Sequence, residues 1–137
     1  MPHLHLHPLI VHFPIALFIT ALGAEILSLI FKKNTLHKVA YCNYFFVILG
    51  AITAVLSAWR DNMFLKHPVF YTHRNLAYIT LIVASISGII LLLIKRKSER
   101  LLRIIFFIFL ILIASLVSLT AYYGGKLVYE YGIGVEE

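Results

Sequence analysis

HPLIVHFPIALFITALGAEILSLIF, His7 to Phe31, decides the architecture. Beyond the histidines at its head it holds one ionisable residue, Glu25, in a run of otherwise apolar or small side chains. About 20 helical residues cross a hydrocarbon core about 30 Å thick, so the stretch from Pro8 to Phe31 is long enough to span a membrane. It does not read as a cleavable signal peptide. The preceding MPHLHLH has no Lys or Arg, the apolar stretch exceeds the usual h-region, and Lys32-Lys33 stands where a small-residue cleavage site would be needed.

Three more runs have the same character: Val39 to Trp59, Asn75 to Ile94 and Leu101 to Tyr123. The 137-residue chain is 61% hydrophobic and 13% charged, with mean hydropathy +0.93, against about 25% charged residues in an ordinary soluble domain. These observations predict an all-α polytopic membrane protein, an up-down bundle of four transmembrane helices forming one domain over 1–137, with spans at 8–31, 39–59, 75–94 and 101–123. Gly124-Gly125 would end the fourth helix and leave 126–137 as an outer-face tail. Cys42 is the only cysteine, which excludes an internal disulfide and a cysteine metal cluster.

The net charge of +6 is distributed for a membrane rather than for nucleic acid. Lys32, Lys33 and Lys38 fill the first connection, and Lys95, Arg96, Lys97, Arg100 and Arg103 the third. By the positive-inside rule these connections face the cytoplasm, and both termini face out. Arg60, Lys66, Arg74 and Lys126 on the other side are offset by Asp61, Glu130, Glu136 and Glu137. Every histidine except His37 then lies at the outer face, with Trp59, Tyr71, Tyr78, Tyr122, Tyr123, Tyr129 and Tyr131 as an interfacial aromatic belt.

A second stretch, HPVFYTHRNLAY from His67 to Tyr78, echoes the opening HPLIVHFPIALF. Ala16 and Gly23 follow His12 at the spacing at which Ala77 and Ala84 follow His73, and at about 100° per residue all four lie within about 40° of their histidine. On the even helices Gly50, Ala54, Ser57 and Asp61 match Ala114, Ser118, Ala121 and Gly125. This predicts a parallel repeat of two hairpins with small-residue stripes turned inward. Pro8 suits a first helical turn, and Pro14 predicts a kink or a late helix start.

His12 and His73 would enter the bundle at similar depth on helices that run the same way. Imidazoles so placed suit the axial positions of a b-type haem, and two of them give a six-coordinate, electron-transferring iron rather than a gas-binding one. Arg74, Arg60 and Lys126 share that level and could hold the propionates. The same two histidines could instead hydrogen-bond loops and cap helix ends. His3, His5 and His7 alternate in HLHLH and would share one edge of an extended segment, a copper or zinc arrangement, although packing on the outer face explains them equally. Glu25 invites a proton-relay or ion-site role; snorkelling toward the inner surface or pairing with Lys38 is the alternative. Between His12 and Glu25 the first helix offers only Thr20 as a polar group, which argues against transport through it. No hydrolytic triad or paired-carboxylate site is present, and GIGV is too little for a nucleotide loop.

Together, HPLIVHFPIALF and GGKLVYEYGIGV, Gly124 to Val135, resemble the bacterial membrane-domain family catalogued as domain of unknown function 2231, over essentially the whole chain. His7, His12, Pro14, the His73 region, Gly124, Gly125, Tyr129, Gly132 and Gly134 fall on its motif positions, and Tyr131 stands where members often have His. Members occur fused to cytochrome c-like or Rieske-like domains, so the resemblance implies a redox setting. The expectation is a bacterial inner-membrane, haem b-binding electron-transfer subunit rather than an enzyme, serving a quinol pool and a periplasmic redox protein. The alternatives are a non-redox docking subunit of a larger membrane complex, or a metal or proton site protein.

Overall fold

The computed structural model describes residues 6–61, 67–95 and 98–132. They form four helices: α1 (Leu6–Phe31), α2 (Asn34–Asp61), α3 (Pro68–Lys95) and α4 (Glu99–Tyr129). All four are long and apolar enough to cross a membrane. A helix of 28 residues, such as α2 or α3, extends about 42 Å at about 1.5 Å per residue, so its ends pass the hydrocarbon core or the helix tilts. The side chains invert the soluble pattern. Glu25, Ser28, His37 and Ser87 are buried while Ile19, Ile30, Leu49, Ile82 and Ile108 are exposed, as expected where the surrounding solvent is lipid.

Two hairpins make the bundle, α1 on α2 and α3 on α4, with a lighter contact between α2 and α3. The end carrying the α1–α2 and α3–α4 connections is called here the basic end, and the opposite one the terminal end. At the first connection Lys32 takes a left-handed conformation, φ 53°. Its Ser28 hydroxyl neighbour donates to the Lys33 carbonyl at 3.1 Å. Between the hairpins Tyr44, Leu91, Phe106, Leu110 and Ile113 are fully buried. Tyr44 meets Phe106 edge to face at 5.4 Å, and its hydroxyl bonds that of Ser87 on α3.

Several expectations need correction. Pro14 does not delay α1, which begins at Leu6 and continues through it. Its ring packs against Gly50, where a Cβ would lie 3.0 Å from the Pro14 Cβ. Gly124 and Gly125 do not stop α4, because helical hydrogen bonding needs no side chain. The helix runs to Tyr129 and ends where Gly132 adopts φ 62° and donates to the Val128 carbonyl at 3.1 Å. The small-residue stripes hold on α2 and in part on α3, where Gly50, Ala54 and Ala84 are buried. On α1 and α4 they do not: Ala16, Ser118 and Ala121 are exposed, and a Cβ at Gly23 or Gly125 would meet nothing.

Candidate functional site

At the terminal end, α3 starts on a residue pair suited to it. Pro68 occupies the first position, where no N–H is needed, and His67 caps the turn: its Nδ1 accepts from Val69 N at 3.3 Å and its carbonyl from Tyr71 N at 3.2 Å. His67 also stacks on Tyr131, ring centroids 4.3 Å apart, joining the start of α3 to the chain just past α4. His73 therefore lies in the second turn rather than opening the helix. Its Nδ1 lies 2.9 Å from the Thr120 carbonyl on α4. A carbonyl only accepts, so Nδ1 carries a proton, and in the neutral tautomer this selects, Nε2 keeps its lone pair. The ring reaches α4 because Gly124 is there; a Cβ would lie 3.0 Å from its Cε1.

The other candidate residues are distributed unevenly. Arg74 is exposed, its guanidinium 4.9 Å from the Tyr71 ring centre and 5.8 Å from that of Phe70. Lys126 lies 5.3 Å above Tyr122 and 3.7 Å from Glu130. These two share the α3–α4 hairpin with His73. His12 is exposed on α1, whose main neighbour is α2. Arg60 and His7 lie in described helices but their side chains are outside the described residues, as are His3 and His5 entirely. Among the described residues no three His, Cys, Asp or Glu side chains converge.

The chain thus combines a helical HPLIVHFP opening, a tail reaching back through Tyr131 to His67 and four spans in order. The chain belongs to DUF2231, the predicted membrane proteins whose family model matches residues 3–137. No curated protein and no solved structure matches it.

In this DUF2231 chain a second polar centre lies at the basic end, and half of it is invisible to sequence reasoning. Glu25, fully buried, bonds neither Lys38 nor solvent: its Oε2 lies 2.8 Å from Nδ1 of His37 on α2. The pair carries one exchangeable proton in that bond, on Nδ1 or on Oε2. Phe106 closes over His37 edge to face at 5.8 Å. Lys38 stays exposed, because one residue further on α2 is a rotation of about 100° and turns its side chain away from α1. The available signal was chain distance. His37 is the one imidazole within a turn of the connection that folds α2 back on α1.

Proposed function

We propose that the chain is a small b-type cytochrome-like electron-transfer subunit of the bacterial inner membrane, with both termini periplasmic and haem b bound near the periplasmic face. The observation that carries this reading is His73, tied through Nδ1 to the Thr120 carbonyl and seated against Gly124. Metal-ligating histidines commonly fix their second nitrogen in this way, which sets the tautomer and the ring orientation. His12 from the other hairpin would be the second axial ligand. Arg74, Arg60 and Lys126 would neutralise the propionates.

Haem would supply a one-electron iron couple. The chain's own residues would orient the imidazole, exclude water and balance charge. A single haem near one face exchanges electrons with partners on that face, so a periplasmic redox protein is the expected acceptor and the quinol pool the expected source. Oxidised and dithionite-reduced absorption spectra of protein expressed with ample haem test this. A Soret band that is lost in His73→Ala is expected. Its absence from the unsubstituted protein would sink the cytochrome reading, and its survival in both His12→Ala and His73→Ala would move the ligands elsewhere.

A docking role is the second reading, and Tyr129 favours it. This side chain is 90% exposed beside the exposed Tyr131, an aromatic surface of the kind partners cover. Co-purification of a membrane partner that Tyr129→Ala abolishes, in protein without a Soret band, would select this reading.

A further inference from the structure

The proposed haem chemistry leaves Glu25 and His37 unused, although ionisable groups are the most expensive side chains to bury in a bilayer. Oε1 of Glu25 is buried and has no hydrogen-bond partner among the described residues. The His37 ring is held through Nδ1, and its Nε2 makes no hydrogen bond among the described residues and is not sealed from the surface. The His37 ring forms part of a groove of about 770 Å³ at the basic end, bounded by α2, α3 and α4. Tyr41, Phe45, Phe46, Leu49 and Leu92 line it, as do the polar Asn34, Lys38, Glu99 and Arg103. Phe46, Leu49 and Leu92 are more than half exposed, on the surface that lipid covers.

We propose that this groove binds the ring of a lipid-soluble quinone, with His37 Nε2 hydrogen-bonding one ring oxygen and Glu25 setting which nitrogen of His37 carries the proton. Three features select that chemical class. An occupant enters from the bilayer, because the walls face lipid. It is flat, because aromatic side chains line one side. It presents an oxygen able to give or take a hydrogen bond, because the open imidazole nitrogen of His37 stands in the same lining as the Tyr41 hydroxyl.

The dyad matches both oxidation states of such a ring. With Glu25 ionised and Nδ1–H donating to it, Nε2 accepts from a hydroquinone hydroxyl. With Oε2 protonated and donating to Nδ1, Nε2–H donates to a quinone carbonyl. The second state holds one proton more than the first, and binding itself moves no electron. The other titratable or charged groups around the groove are Tyr41, Cys42, Lys38, Glu99 and Arg103. Neither haem nor His73 takes part, so this site and the haem reading fail separately, one by quinone binding and the other by the Soret band.

Binding of decylubiquinone to the full chain in phosphatidylcholine nanodiscs, followed by titration calorimetry, tests the assignment. Saturable one-to-one binding is expected, weakened about tenfold or more by His37→Phe and abolished by Leu49→Trp, which fills the groove from the lipid side. Should His37→Phe not fold, Leu49→Trp, outside the buried core, decides alone. Absence of saturable binding, or unchanged affinity in Leu49→Trp, overturns the proposal. So does a groove that retains only phosphatidylglycerol, released by Lys38→Gln with Arg103→Gln and indifferent to His37.

Discussion

Deleting one member of the Glu25–His37 pair strands the other in the bundle without its 2.8 Å hydrogen bond, a loss of about 1–3 kcal/mol for a buried polar group left unsatisfied. Glu25→Ala and His37→Ala are each expected to lower the unfolding midpoint in detergent sharply, while Glu25→Leu with His37→Leu recovers much of the loss. A double variant whose loss equals the sum of the two single losses would show that the two side chains are not coupled. Glu25 stood out in the sequence because an acid inside a span is rare. Its partner did not, because α2 is apolar on nearly all sides, and a helix without a polar face carries no pattern that tells the inward residues from the lipid-facing ones. His73 has a related difficulty. Its partner is a backbone carbonyl, which every residue of α4 owns, so the contact with Thr120 has no signature in side-chain identities.

Within the first hairpin, the contact of Gly50 with Pro14 predicts how closely α1 and α2 approach. A proline ring cannot swing aside, and Gly50→Ala would bring a Cβ to 3.0 Å from it, costing about 1–3 kcal/mol through overpacking. Gly23→Ala is the control. Nothing lies within 4 Å of its new methyl, so higher helix propensity should leave stability equal or raised by up to about 1 kcal/mol. Equal effects at the two glycines, measured by reversible unfolding, would contradict the packing. Lys32 offers the opposite sign: φ 53° is strained for a residue with a Cβ, and Lys32→Gly should stabilise the connection by about 1 kcal/mol. Helix existence and number were legible from hydropathy alone. Helix ends were less so, as α4 shows by running past Gly124 and Gly125, because glycine ends a helix only where the chain also turns left-handed, as it does at Gly132.

The whole molecule is two tightly built hairpins with a lighter seam between them. Tyr44 is a buried polar link across that seam, bonding Ser87 while Ser87 also donates to the Ala84 carbonyl at 2.9 Å; at the exposed basic end Arg103 Nη2 donates to Asn34 Oδ1 at 2.6 Å. Tyr44→Phe leaves Ser87 with that second bond, so the expected loss is only about 0.6–1.7 kcal/mol, the range for polar contacts between membrane helices. Hairpins expressed as separate halves, cut between α2 and α3, should reassemble, and more weakly with Tyr44→Phe; halves that never associate would show the seam to be weaker than its buried tyrosine implies. The four-span order and the charge asymmetry were readable at this scale, whereas the seam was not, since it depends on which faces the two finished hairpins turn toward each other. The placement of the dyad inside the first hairpin also bears on how the protein is made. His37 follows Glu25 by only 12 residues, so the imidazole leaves the ribosome almost together with the carboxyl group. The acid can find its partner within the first hairpin, without waiting for α3 and α4 to enter the bilayer.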